Sequence, residues 1–168
     1  MTFEELAKAR YSVRRFQSKP VEQEKLEKLL SVAATAPTGC NNQPQKLYVL
    51  TSEEAREKAA KCTKCTFGAP VLLLVCYDRN ATWKREFDGW ECGVSDASIF
   101  ATHLALEATE LGLGTCWVAW FDPAETRKQF DLPENIVPVA FLPLGYPDAA
   151  PAKWHGMRRA WSDYTIWK

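Results

Sequence analysis

The chain has 168 residues, 46% hydrophobic and 25% charged, with 21 Lys and Arg against 21 Asp and Glu. That length suits one domain around a single core. The zero net charge argues against the concentrated positive field that a nucleic-acid surface or polybasic membrane patch requires, and it fits a chain that hides surface in an oligomer.

The opening Met1-Thr2-Phe3-Glu4-Glu5-Leu6 is acidic and amphipathic, without the basic and apolar regions of a secretory signal. A short helix is expected over Thr2 to Ala9, running into a basic knot, Arg10-Tyr11-Ser12-Val13-Arg14-Arg15-Phe16. Glu22 to Thr35 reads as a helix: Leu26, Leu29, Leu30, Ala33 and Ala34 share one face, early glutamates suit its positive end, and Pro37 stops it. Pro37-Thr38-Gly39-Cys40-Asn41-Asn42-Gln43-Pro44 is a polar, amide-dense loop.

Leu47 to Thr51 is expected as a strand, and Ser52 to about Lys61 as a helix with Ser52 at its N-cap. The continuous apolar run to Tyr77, a strand from Val71, should be covered on both faces. With Pro70 it is the longest such run and far below the roughly 20 residues that cross a bilayer, so a cytoplasmic protein is expected. Asp78 to Glu91 is polar but carries Trp83, Phe87 and Trp90, which would form one stripe on a helix. That stripe reads either as core packing or as a lid that stacks on a flat substrate.

The segment from about Val94 to Leu111 is the clearest helix: Val94, Ala97, Ala101, Leu104, Ala108 and Leu111 recur at helical spacing, and Ile99, Phe100 and Leu106 spread apolar character around it. Gly112 supplies its stop. Thr115 to Trp120 reads as extended, Asp122-Pro123-Ala124-Glu125 as a helix start, and Val137 to Gly145 as a strand whose Pro138 and Pro143 place it near an edge or bulge. The remainder, with Trp154, Trp161, Tyr164, Ile166 and Trp167, cannot form a core alone, and a partner subunit is a natural cover.

Few side chains suggest chemistry by themselves. Arg10, Ser12 and Arg14 read either as a phosphate clamp or as a solvated basic turn. Asn41 and Gln43 could bond a polar ring edge, or simply serve a turn that needs left-handed residues. Gly112-Leu113-Gly114 lacks the third glycine of a dinucleotide loop and follows a helix, so it is excluded as one. Cys62-Thr63-Lys64-Cys65 follows a helix where a thiol redox pair wants a helix N-terminus, and no second pair completes a zinc site. The six cysteines are therefore expected as free thiols, His103 as a core or interface residue, and no metal site is expected.

The order of these motifs is more specific than any one of them. The basic knot, Ala36-Pro37-Thr38-Gly39-Cys40-Asn41-Asn42-Gln43-Pro44, Glu110-Leu111-Gly112-Leu113-Gly114-Thr115-Cys116-Trp117 running to Phe121-Asp122-Pro123, and Leu144-Gly145-Tyr146-Pro147 together resemble the nitroreductase family over residues 1 to about 165. The resemblance implies an α+β fold: a three-layer α/β/α sandwich around a mixed, mostly antiparallel central sheet, in an intertwined homodimer. It implies one FMN-binding domain over 1–168, with residues from about 147 to 168 wrapping the partner.

It further implies FMN at the subunit interface. Arg10, Ser12 and Arg14 would hold its phosphate and pyrimidine edge, with Tyr11 supplying a main-chain or ring contact, and Arg158, or the adjacent Arg159, would complete the phosphate site. Pro37, Thr38, Asn41 and Gln43 would reach it from the other subunit. Trp117, Val118, Ala119 and Trp120 would lie along the ring. With the stripe of Trp83, Phe87 and Trp90 read as a lid, these three and Trp120 are the substrate-pocket candidates. Trp120 stands where the family often has a small residue and would narrow the cleft.

The implied activity is hydride transfer from NAD(P)H through the flavin to a flat, electron-poor acceptor such as a nitroaromatic or quinone, in ping-pong order. No catalytic side chain is expected, because the cofactor carries the chemistry. The alternatives are a non-catalytic flavin-binding or storage protein and a thiol or metal redox protein built on Cys62 and Cys65.

Overall fold

The computed structural model describes residues 1–168. Its centre is the strand that the apolar run marks, β2 (Val71–Asp78), whose first seven residues are all buried. Antiparallel neighbours flank it: β1 (Gln45–Leu50) on one side and β4 (Ile136–Gly145) on the other. A two-residue strand, β3 (Gly114–Thr115), pairs with the end of β4 and completes the order β1-β2-β4-β3.

The residues of β2 alternate between two cores. Val71, Leu73, Val75 and Tyr77 pack with Leu26, Leu29 and Ala33 of α2 (Gln23–Ala33) and with Ala97, Phe100 and Leu104 of α4 (Gly93–Glu110). Leu72, Leu74 and Cys76 face the other way, toward Ala59 and Cys62 of α3 (Glu53–Cys62) and toward Leu132, just beyond α5 (Pro123–Gln129). Period-two alternation with both faces covered thus yields a three-layer α/β/α sandwich. The short α1 (Phe3–Ala9) lies outside these layers and buries none of its residues. All named strand pairings are antiparallel; the parallel element is an isolated bridge between Ser12 and Thr115.

Local chemistry sets the boundaries. Thr2 caps α1 reciprocally with Glu5, and Ser52 Oγ accepts the Ala55 N–H. Asp122 Oδ1 accepts the Ala124 and Glu125 N–H groups at 2.8 and 3.0 Å, with Pro123 opening α5. Gly112, at φ 73°, ends α4, and the Leu113 N–H reaches back to the Ala108 carbonyl at 2.8 Å. Along β4 the register slips opposite Val75 and Cys76, so that Pro138 sits at the irregularity its missing N–H calls for.

The stretch with Trp83, Phe87 and Trp90 is not helical, so the stripe does not form. Arg85 N–H bonds the Trp90 carbonyl, Cys92 N–H bonds the Trp83 carbonyl, and Gly89 turns at φ 72°, making a small hairpin. Phe87 is 96% exposed at its tip. No helix of the chain is long and apolar enough to cross a membrane.

Candidate functional site

The basic knot leaves α1 at Arg10 and runs beside β3. Its Val13 N–H bonds the Thr115 carbonyl at 2.9 Å, and Val13 itself is buried. The approach is so close that a Cβ at Gly114 would stand 2.3 Å from Val13 Cγ2, which explains a glycine there. The knot is thereby fixed on its apolar side, while Arg14 stays exposed.

The C-terminal segment is zipped onto the same knot. Gln17 N–H bonds the Tyr146 carbonyl and Asp148 N–H bonds the Arg15 carbonyl, both at 2.9 Å. Arg15 also pairs with the Asp148 carboxylate at 3.1 Å, and Tyr11 donates to the Ala149 carbonyl at 2.7 Å. Burial pushes the Tyr11 phenol up, so it remains a donor through the neutral range. His155 packs edge-on against Tyr11 and lies 3.0 Å from the Lys8 carbonyl through Nε2.

Together these contacts form a cavity of about 220 Å³ lined by Arg10, Tyr11, Ser12, Arg14, Trp154 and Arg158, among others. Arg158 donates to the His155 and Met157 carbonyls, which orient its guanidinium. Arg159 instead lies over the Tyr164 ring at 5.8 Å. None of Arg10, Arg14 and Arg158 takes part in the chain's ion pairs. Three uncompensated guanidiniums and a hydroxyl around one cavity suit an anion with several acceptor oxygens. Trp154 and His155, which sequence reasoning did not place here, lack any local signal; only the fold-back of the tail brings them in.

A neighbouring cavity of about 170 Å³ shares Arg10 and Ser12 and adds Trp117, Thr115 and Ala101, Thr102 and Ala105 of α4. The expected ring-flanking segment follows. Val118 is buried and tied to Phe141 in both directions, at 2.9 and 3.0 Å, whereas Trp117, Ala119 and Trp120 are exposed. The N–H groups of Ala119 and Trp120 have no acceptor within the chain. Trp120 lines a third cavity, of about 440 Å³, between the end of α3 and the start of α5.

The amide loop is held in an unusual shape. Cys40, Asn41 and Gln43 have φ of 50, 56 and 51°, a left-handed region costly for residues other than glycine and asparagine. Thr38 Oγ1 accepts the Gln43 N–H at 3.0 Å, and Gln43 Nε2 donates to the Asn41 carbonyl at 3.3 Å. Asp96, on the first turn of α4 and 1% exposed, accepts the Gly39 N–H at 2.9 Å and the Cys92 thiol at 3.3 Å through Oδ1. This buried carboxylate anchors the loop from 57 residues away, and no sequence motif announced it. Pro37, Asn41 and Gln43 are exposed and Thr38 is half-buried. None of the four lines the three cavities described, so one chain does not bring the amide loop to the arginine cluster.

Of the substrate-pocket candidates, Trp120 alone lines one of these cavities. Trp83 packs near the amide loop, its Cβ 3.2 Å from where a Cβ at Gly39 would sit, while Trp90 lies beneath Arg85 at 5.1 Å. All six cysteines are free. Cys62 closes α3, where burial pushes its thiol up, and burial in β2 pushes Cys76 up to about 12.

Comparison with known proteins places these features in a family. The model described as "Nitroreductase family" matches residues 7–67 and 61–146. A crystal structure of a nitroreductase family protein from Clostridium difficile 630 is 43% identical, with a TM-score of 0.95 over 100% of this chain and 99% of that one. A protein of Methanothermobacter thermautotrophicus with a provisional NADH dehydrogenase/NAD(P)H nitroreductase name is 32% identical over 155 residues, covering 88% of this chain and 78% of its own. At 20% identity, a nitroreductase-type protein of Exiguobacterium sibiricum, solved in complex with FMN, shares the fold with a TM-score of 0.87 over 100% and 98% of the two chains.

Proposed function

The chain belongs to the nitroreductase family, and from that premise we propose that it is an FMN-dependent oxidoreductase working as a homodimer. Its electron donor is NAD(P)H and its acceptor a flat, electron-poor compound such as a nitroaromatic or a quinone. The observation that carries this reading is the cavity of Arg10, Ser12, Arg14 and Arg158, whose guanidiniums lack carboxylate partners. A phosphate monoester fits that donor set in charge and in the number of bonds it can accept. The relative from Exiguobacterium sibiricum, which holds FMN in the same fold, supports the choice of ligand.

When bound, FMN supplies a two-electron relay that accepts hydride from the donor and releases it to the acceptor in a separate half-reaction. The chain's own part is binding, orientation and electrostatics. Arg10 and Arg14 hold negative charge at the knot, and Arg158 closes over it from the tail. The free N–H groups of Ala119 and Trp120 would be available as donors to a bound flavin and would stabilise negative charge on it. Thr38, Asn41 and Gln43 supply polar contacts from a second subunit, since their own chain keeps them apart from the arginines.

Exposed apolar side chains support the dimer. Val94 and Ile99 face outward on α4, and Trp161, Tyr164, Ile166 and Trp167 are exposed along the tail. In water these surfaces favour cover, and a second copy can supply it; because 146–155 are bound to their own chain's knot, the wrapping arm is shorter than the expected 147–168 and starts near Trp161. Residues 1–168 act here as one FMN-binding domain, and its six free thiols suit the reducing cytoplasm.

The test is direct. The purified protein is expected to show a flavin spectrum corresponding to about one FMN per chain and to oxidise NADH or NADPH when a quinone is present. A protein that stays colourless after incubation with FMN contradicts the reading. One that binds FMN but leaves NAD(P)H untouched is a flavin carrier instead.

A further inference from the structure

We propose that the cavity between the end of α3 and the start of α5 is a subsite for a planar ligand bearing a negative charge. The ring lies against Trp120 and the anion between Lys61 and Lys64. The assignment rests on the reading that residues 117–120 border the flavin, and it names the substrate class that this border selects.

Trp120 is 68% exposed, yet its backbone is clamped. The buried Thr63 hydroxyl donates to the Trp120 carbonyl at 2.6 Å while accepting the Cys65 N–H at 3.1 Å. Two residues on, the Asp122 N–H bonds the Cys62 carbonyl at 2.9 Å. Between these ties Phe121 packs edge-to-face on Phe141, with ring centres 5.5 Å apart. The backbone at Trp120 is thus held in place, and its largely exposed indole offers a flat face suited to stacking.

The charge around that face is positive on balance, two lysines against one carboxylate. The cavity, of about 440 Å³, is lined by Lys61, Lys64 and Asp122 as its ionisable side chains apart from Cys62. The Asp122 carboxylate already accepts two N–H groups at the start of α5. Lys61 and Lys64 enter none of the chain's ion pairs, although Lys58, one turn earlier in α3, is paired with Glu54. A neutral planar compound gains only the stacking. One carrying a sulfonate, carboxylate or phosphate also gains the attraction of two free ammonium groups. Such an anion can belong to the acceptor or to the nicotinamide donor.

The experiment uses the full-length FMN-loaded protein and the variant K61Q/K64Q, with K61R/K64R as the charge-preserving control. Calorimetric titration with naphthalene-2-sulfonate, which has the ring and charge but no redox chemistry, is expected to show affinity about fivefold to tenfold weaker in K61Q/K64Q. The arginine variant should retain it, and added salt should narrow the difference.

In turnover, two KM ratios locate the anion. A rise in the ratio for 1,4-naphthoquinone-2-sulfonate over menadione assigns the subsite to the acceptor. A rise in the ratio for NADPH over NADH assigns it to the donor. Equal naphthalene-2-sulfonate affinity in wild type and K61Q/K64Q overturns the proposal. Because that titration requires no turnover, its failure is distinct from a failure to oxidise NAD(P)H, which would instead strike the oxidoreductase reading.

Discussion

Strand β2 and the last eight residues are both rich in large apolar side chains, yet they meet opposite fates. In β2, Leu72 to Cys76 are at most 1% exposed, each side chain taken up by one of two helical layers. In the tail, Trp161, Tyr164, Ile166 and Trp167 are 62 to 83% exposed. The strand's apolar content is satisfied within the chain, whereas the tail's is not. Its neighbours at 146–158 are nevertheless held firmly to the N-terminal knot, so the tail leaves the body from a defined place. Apolar residues left uncovered at the end of an ordered segment suit a surface completed by a second copy.

Truncation after Ala160 should break this contrast most strongly. If the four large side chains become even half-buried against a partner, about 3–6 kcal/mol of association is lost. That corresponds to two to four decades in the dimer Kd. Sedimentation at micromolar concentration should show a dimer before truncation and a monomer after it; an unchanged dimer would show that the tail does not wrap a partner.

Next in size, Leu73→Ala in β2 should cost about 2–5 kcal/mol in unfolding free energy, because a fully buried site collapses poorly around the cavity. Denaturant unfolding measures it, and a loss below about 1 kcal/mol would mean that the layers repack freely.

The smallest effect concerns the root of the tail. Glu22 accepts the Tyr146 hydroxyl at 2.6 Å and lies 3.1 Å from Lys19. First that hydroxyl, then its own backbone N–H and Lys19, hold its carboxyl down to about 2 from the ordinary 4.5. A depressed carboxyl stabilises the fold above the unfolded-state value and loses that contribution as pH falls from about 4.5 toward 2. Glu22→Gln should therefore flatten the acid limb of stability slightly within that window and leave neutral pH nearly unaffected. The group is solvent-exposed, so the change is small; identical acid limbs would show that the contact carries no stability.

The sandwich was largely legible in the sequence. The unbroken apolar run of β2, the spacing of α4, and the caps at Ser52 and Asp122 each act through nearby residues, and each element lies where those residues imply. The hairpin at 84–91 was not, because Trp83, Phe87 and Trp90 mimic helical spacing. Its own signal was present in Asp88-Gly89, a turn pair reinforced by the Arg85–Asp88 ion pair at 2.6 Å.

The arginine cluster was readable in part. Arg10, Ser12 and Arg14 are close in sequence, and similarity to a family suggested Arg158, but Trp154 and His155 arrive only through the fold-back of the tail. Asp96 stands in α4 with no motif around it. Its burial against Gly39 is a tertiary fact with no local trace.

The proposed grip of Arg10, Ser12, Arg14 and Arg158 on the phosphate of FMN is tested most directly by comparing two flavins. Titrating flavin-free protein with FMN and with riboflavin, which lacks the phosphate, isolates that contact. Wild type should prefer FMN, and Arg14→Ala should remove about 1.5–3 kcal/mol of that preference, a loss of roughly tenfold to a hundredfold in FMN affinity, with little change for riboflavin. Equal binding of the two flavins by wild type, or an Arg14→Ala variant that loses both alike, would contradict it.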